Sequence, residues 1–254
     1  MQPIGFFDSG IGGLTVLQEA LKILPEEQYL YFADTEHAPY GIQPKEKVRE
    51  LVFEAVGFMA KWPLKALVVA CNTATSVVIE DLRTTYTFPI IGMEPAVKPA
   101  VSLARPKRVL VFATELTLRE EKLKNLVARV DAEELVDYLP LQELVMFAEN
   151  FEFDEARIKP YLQTKFARTD FSRYGAVVLG CTHFLFFKNT LRKVLPPHIQ
   201  IVDGNAGTVN NLKHNMEGHF AAGPGSVSYF ISGKPAEKDY FERYLGFYAG
   251  LEKV

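Results

Sequence analysis

Two cysteines stand in this chain, and each closes an apolar run in the same manner. LVVACNTAT puts Cys71 directly after a run of Leu, Val and Ala, and AVVLGCTHF puts Cys181 after a second such run. A thiol can act as an acid, a base or a nucleophile. A free cysteine has a pKa near about 8.5 and is only slightly ionised at neutral pH, so chemistry requires surroundings that tune it. A single buried cysteine is ordinarily an inert small side chain, but two in matching contexts invite a shared task. The N-terminus shows no basic region followed by a long apolar stretch, so free thiols in a reducing compartment are expected rather than a disulfide.

Four polar segments sit where apolar runs end. DSGIGG offers Asp8 and Ser9 followed by Gly10, Gly12 and Gly13, which would permit a tight turn into a helix. It fails the dinucleotide fingerprint, because Thr15 stands where the third glycine belongs, and no Lys follows as a phosphate loop requires. Its amides suit a small carboxylate better. HAPYG ends in Tyr40 and Gly41. CNTAT sets Asn72 and Thr73 at a helix start, and CTHF sets Thr182 and His183 at the corresponding place after Cys181. Each of these residues would serve equally as a cap or turn residue if it stood alone.

The elements that must position these segments follow from periodicity. Short Val-, Ile- and Phe-rich runs alternate with amphipathic stretches, which predicts βαβ units and a mainly parallel sheet. Strands are expected at 4–7, 29–33, 66–70, 90–93, 108–113, 176–180 and 199–202, and helices at 14–23, 45–61 and 75–86. IGFFDSG opens one half and RVLVFATEL opens the other, so the fold class expected is α/β, with two similar doubly wound lobes facing each other. The Pro-containing stretch 92–108 is the expected crossing. The division predicted is 1–97 plus 210–254 for the first lobe and 98–209 for the second. Tyr240, Tyr244, Phe247, Tyr248 and Leu251 fall at helical spacing and predict a packed terminal helix.

Composition narrows the partners. The 254 residues are 48 % hydrophobic and 23 % charged with a net charge of −3, which is ordinary for a globular protein and argues against general nucleic-acid affinity. No apolar run reaches the roughly 18 residues of a membrane span. A cytoplasmic protein with a small-molecule substrate is expected, without nucleic acid or membrane as partner; a homodimer is left open. Neither a metal-ligand cluster nor a pyridoxal-type lysine motif is evident, so no metal and no cofactor is expected.

Taken together and in this order, DSGIGG, APYG, CNTA and GCTH resemble the cofactor-independent glutamate racemases of the aspartate/glutamate racemase superfamily. The resemblance spans nearly the whole chain. It implies two lobes related by a pseudo-twofold axis, a substrate held between them, and a product, D-glutamate, used in peptidoglycan. It also implies catalytic roles: Cys71 and Cys181 as the two acid/base groups, Asp8 as the acidic partner near the first, His183 as the imidazole near the second, and Glu149 of VMFAENF as a further acid, with Glu143 and Glu152 as near alternatives. Substrate contacts are implied for Asp8, Ser9, Tyr40, Gly41, Asn72, Thr73, Thr182 and His183, with Thr114 and Thr117 of FATELT as additions.

The chemistry of the residues agrees with the resemblance. Inverting an α-carbon without a cofactor needs one group to take a proton from one face and another to supply one to the opposite face. Thiols from facing lobes fit, and neighbouring donors and helix N-termini are expected to lower their pKa. No Arg lies in the four motifs, so hydroxyls and amides would hold the carboxylates. Glu120 and Leu123 stand where Ser and Tyr are common in the family, Leu185 replaces a usual Pro, and GMEP is one residue short of the frequent form; these positions bear on which substrate is taken. Rival readings are a racemase acting on aspartate or another amino acid, a cysteine hydrolase using Cys181 and His183, which leaves Cys71 unexplained, and a non-catalytic binder of acidic ligands.

Overall fold

The computed structural model describes residues 2–130, 134–216 and 223–252. The first lobe begins β1 (Ile4–Asp8), α1 (Leu14–Ile23), β2 (Gln28–Ala33), α2 (Lys45–Met59), β3 (Ala66–Val69), α3 (Asn72–Thr85), β4 (Ile90–Gly92). The second runs α4 (Val97–Ala104), β5 (Arg108–Ala113), α5 (Glu115–Arg119), α6 (Glu121–Arg129), β6 (Val136–Pro140), α7 (Glu143–Glu149), α8 (Glu155–Phe166), β7 (Tyr174–Leu179), α9 (Lys188–Val194), β8 (Gln200–Val202). The chain then returns through α10 (Asn205–Asn215), β9 (Ser226–Ile231), β10 (Lys234–Pro235) and α11 (Lys238–Leu251).

The internal repeat is visible in the strand orders. The first sheet reads β10-β9-β2-β1-β3-β4 and the second β6-β5-β7-β8, so the segment β2-β1-β3-β4 has its counterpart in the whole second sheet. Every pairing is parallel except β10 with β9. Central strands are buried along their full length, as in β1 and β3, because helices cover both faces of a parallel sheet. In α3 the buried residues Thr75, Val78, Ile79 and Leu82 recur at spacings of three and four, which lays one apolar stripe on the sheet.

The expected strands all form, with ends shifted by a residue or two. Three others were not expected. β6 lies at the edge of its sheet and buries only Val136 fully, while β9 and β10 extend the first sheet beyond β2. Edge strands lack the two-sided burial that makes a sequence run apolar, so their signal is weak. The predicted crossing contains α4, whose buried Val97, Ala100, Val101 and Ala104 complete the core of the second lobe. The expected point of return, Asn210, lies inside α10, which packs on α1.

One apolar body runs through both lobes, joining Phe6, Ile11 and Leu14 of the first to Phe112, Leu179 and Phe184 of the second. The terminal helix belongs to it: Phe241 stacks on Tyr229 at 4.6 Å and Phe247 on Phe153 at 4.1 Å, which fastens α11 across the two halves. A fully buried ring such as Phe241 contributes on the order of 1.5–3 kcal/mol through area removed from water. Among the described residues no helix is long and apolar enough to cross a membrane.

Candidate active site

The loops that leave β1 and β3 face those that leave β5 and β7, so the carboxyl ends of four central strands converge between the lobes, where open α/β sheets place their ligands. Cys71 follows β3, and Cys181 follows β7 after Gly180, at equivalent positions of the two sheets. Both thiols are free and buried, with 5 % and 6 % exposure. They are held differently. Cys71 is the N-cap of α3, and its Sγ accepts the Ala74 N–H at 3.4 Å. Cys181 precedes a 3-10 helix, Thr182–Phe187, and its Sγ meets His183 Nδ1 at 3.8 Å.

Each thiol has its own polar set. Ser9 Oγ lies 3.4 Å from Cys71 Sγ. Asp8, at the end of β1, is fully buried; its Oδ2 accepts the Gly10 N–H at 2.9 Å and its Oδ1 accepts the Thr182 hydroxyl, from the opposite lobe, at 3.2 Å. On the other side His183 Nε2 stands 2.6 Å from Glu149 Oε1, and the same oxygen accepts the Ile11 N–H at 2.8 Å. Glu149 thus sits behind the imidazole, where it orients His183. Glu143 is turned instead to Tyr161 and Lys165, and Glu152 to Arg157.

A cluster of hydroxyls closes the remaining side. Thr73 Oγ1 is 2.9 Å from Thr114 Oγ1 and 3.1 Å from Thr117 Oγ1, and the last two are 2.9 Å apart. Thr114 directly follows β5 and caps α5, its hydroxyl accepting the Thr117 N–H at 3.3 Å. Asn72 donates from Nδ2 to the Met93 carbonyl at 3.2 Å, while its buried Oδ1 has no hydrogen-bond partner within the protein. Tyr40 is buried, but its hydroxyl donates to Asp34 Oδ2 at 2.6 Å, so its side chain fixes the loop. Gly41 lies against Thr114 and Gln142 of the second lobe.

The glycines of DSGIGG correct one expectation. None adopts a positive φ; their task is close approach. A Cβ on Gly12 would stand 2.4 Å from both His183 Nδ1 and Thr182 Oγ1, and one on Gly10 would stand 1.8 Å from Glu149 Oε1. The first lobe can reach the imidazole only through backbone that carries no side chain.

Electrostatics correct a second expectation. Burial, with the nearby Asp8 adding to it, pushes the Cys71 thiol up to about 12, although Ser9 and the Ala74 N–H pull the other way. Two weak donors do not outweigh removal of a thiolate from water. Asp8 is raised by burial to about 6, against the lowering effect of His183 and the Gly10 N–H. Burial drives the His183 pKa down most strongly of any single influence, but Cys181 and Glu149 together hold it well above its ordinary value. The pair of lobes therefore sets a neutral thiol and a buried carboxyl of raised pKa against an imidazolium hydrogen-bonded to Glu149.

Comparison with known proteins bears directly on this arrangement. The Asp/Glu/Hydantoin racemase family model matches residues 14–212, most of the chain and both thiol segments. The chain belongs to this family. Among its racemase relatives, the glutamate racemase of Halothermothrix orenii is 54% identical over 239 residues, covering 92% of this chain and 94% of that protein. Glutamate racemase 2 of Bacillus subtilis is 49% identical, covering 99% and 97%. Of solved structures, the glutamate racemase isoform RacE1 of Bacillus anthracis matches with a TM-score of 0.86 at 29% identity, covering 96% of this chain and 94% of that one. The Escherichia coli glutamate racemase, solved in complex with L-glutamate and activator UDP-MurNAc-ala, matches with a TM-score of 0.81 at 31% identity, covering 98% and 96%.

In this racemase fold the residues singled out from sequence come together, apart from the side chain of Tyr40, which turns to Asp34, and the alternatives Glu143 and Glu152, which turn to Tyr161, Lys165 and Arg157. Gln142, Asp34 and Tyr31 were not anticipated. Tyr31 donates to the Gly10 carbonyl at 2.9 Å and Asp34 anchors Tyr40. Their sequence context is that of an ordinary strand or loop, and no motif marks them.

Proposed function

We propose that this racemase-family chain interconverts L-glutamate and D-glutamate without a cofactor, with Cys71 and Cys181 exchanging acid and base roles at the α-carbon. The product would serve peptidoglycan, as the family resemblance implies. The observation that carries the mechanism is the placing of the thiols: they end equivalent strands of two facing sheets, so a carbon between them presents one face to each sulfur.

In one direction the Cys181 thiolate takes the α-proton of L-glutamate and the Cys71 thiol gives its proton to the opposite face; the reverse direction starts from D-glutamate with Cys71 as base. The atoms balance, since one proton leaves carbon for one sulfur and one leaves the other sulfur for carbon. Burial makes the Cys71 thiolate scarce but strongly basic once formed, which suits abstraction from a weak carbon acid. A substrate ammonium entering beside Asp8 and Ser9 supplies positive charge where burial and the Asp8 carboxyl oppose a thiolate. His183 polarises Cys181, Glu149 holds the imidazole, and the hydroxyls of Thr73, Thr114 and Thr182 with the Asn72 side chain bind carboxylate oxygens and the enolate-like charge that develops.

The test follows from the division of labour. Changing either cysteine to Ala is expected to abolish racemisation of glutamate, followed by chiral chromatography beside aspartate and other amino acids. With a glutamate analogue bearing a β-leaving group, only the deprotonating thiol is needed. Cys71→Ser should still eliminate from the L form and Cys181→Ser from the D form. A mutant that processes both enantiomers with equal loss contradicts the facing-thiol mechanism.

A further inference from the structure

The loop after β6 carries a side chain whose state neither packing nor capping explains. Gln142 precedes α7, yet its side chain makes no cap hydrogen bond, and both Nε2 and Oε1 are buried without any hydrogen-bond partner within the protein. A buried carboxamide left unpaired costs free energy, so one that the fold retains calls for a partner beyond the protein's own groups, such as a ligand. Its position says which. A Cβ built on Gly41 would lie 2.3 Å from Gln142 Oε1 and 2.5 Å from Thr114 Cβ, so the carboxamide, the Tyr40–Gly41 backbone and Thr114 converge on one spot. Thr114 is hydrogen-bonded to Thr73, two residues beyond Cys71. Gln142 therefore stands at the border of the hydroxyl cluster that faces the thiols.

We propose that Gln142 is a specificity-determining substrate ligand, donating from Nε2 to the side-chain carboxylate of the amino acid. This rests on the glutamate reading above and deepens it. The carboxylate attached to the reacting carbon rides between the two sulfurs and meets the groups that flank them, Asn72, Thr73 and Thr182. Gln142 lies in the loop of a different strand and meets the far end, two methylenes away. In the four motifs no arginine is available to neutralise that end, so a neutral donor set reads it, and a carboxamide adds selectivity because its donor would be left unpaired by a substrate whose chain ends elsewhere.

The experiment compares wild type, Gln142→Leu and Gln142→Glu, following α-proton exchange in deuterated water with L-glutamate and with L-glutamine, together with thermal melting. Losing a hydrogen bond to a charged group predicts that Gln142→Leu raises KM for glutamate about 10- to 100-fold while kcat changes less than about threefold. Gln142→Glu, of the same size, should suppress glutamate by at least about 100-fold and raise exchange on glutamine above the wild-type level, because a carboxylate repels the substrate carboxylate and accepts from an amide. Two folded variants with wild-type KM overturn the assignment. So does loss of kcat alone without any gain on glutamine, which would mark Gln142 as packing. Wild-type protein that exchanges no α-proton of glutamate overturns the glutamate reading itself, an outcome separate from both.

Discussion

Asp8 shows how one side chain can oppose stability and serve chemistry. Its carboxyl is raised from 3.8 to about 6 chiefly by burial. Such a group favours folding when protonated, so its ionisation above pH 6 weakens the fold, and the cost fades as the pH falls through 6 towards 3.8. Over that shift the penalty is roughly 3 kcal/mol. Asp8→Asn is therefore expected to be more stable than wild type in urea titrations at pH 7.5 by about 1–3 kcal/mol, with the gain shrinking by pH 4, while turnover is lost. An equal difference at both pH values would remove the carboxyl's ionisation as the cause.

Glu149 acts one residue further out. Replacing it by Gln keeps a partner for the Ile11 N–H but removes the carboxylate that helps to hold His183 protonated against burial. The His183 pKa then falls, and the imidazolium disappears at a lower pH. The basic limb of the kcat profile for L-glutamate should move to lower pH in Glu149→Gln, with kcat down about 10- to 100-fold, the size of loss known for outer partners that orient a functional imidazole. The direction from D-glutamate, in which Cys71 is the base, should keep its KM. An unshifted profile would leave Glu149 with a purely structural part.

At the scale of elements, the turn from β1 into α1 matters because it is bare. Gly12 does not use a positive φ, so alanine suits its backbone and the helix should form normally, but the added methyl collides with His183 and Thr182 across the lobes. Far-UV circular dichroism is expected to stay unchanged while kcat falls at least about 100-fold, in keeping with the loss from small misplacements of reacting groups. Near-normal activity would show that the lobes can separate at this point without cost. The same reasoning explains why the motif imitates a nucleotide-binding loop: both need backbone to approach something closely, here an imidazole.

For the whole molecule, ion pairs cross between the two lobes. Lys45 reaches Glu120 at 2.6 Å, and Lys122 bridges Glu80 at 3.1 Å and Glu94 at 2.9 Å. The largest cavity described, about 850 Å³ and lined by Trp62, Tyr86 and Phe88, lies at the opposite end of the first sheet from the thiols. Trp62 is the single tryptophan of the chain. Glutamate at the thiols should therefore leave intrinsic tryptophan emission nearly unchanged, even at saturation judged by isotope exchange. A large quench would require the lobes' movement to be transmitted along β3 to its far end.

What the residues alone determined was the pairing of two cysteines with apolar strands, the parallel α/β class and the racemase family, because two-sided burial and a strand-end thiol leave continuous local patterns. The companions Asp8, His183 and the threonines were legible for the same reason: each adjoins a strand that could be recognised. The outer strands β6, β9 and β10 were not, since their partly exposed residues dilute the apolar signal. Only the tertiary structure placed Glu149 behind His183, set Gln142 over Gly41 and turned the Tyr40 hydroxyl to Asp34. It also decided the charge states, raising Cys71 where local donors alone predict a lowered thiol. Burial depends on everything packed around a group, whereas a motif reports only its neighbours in sequence.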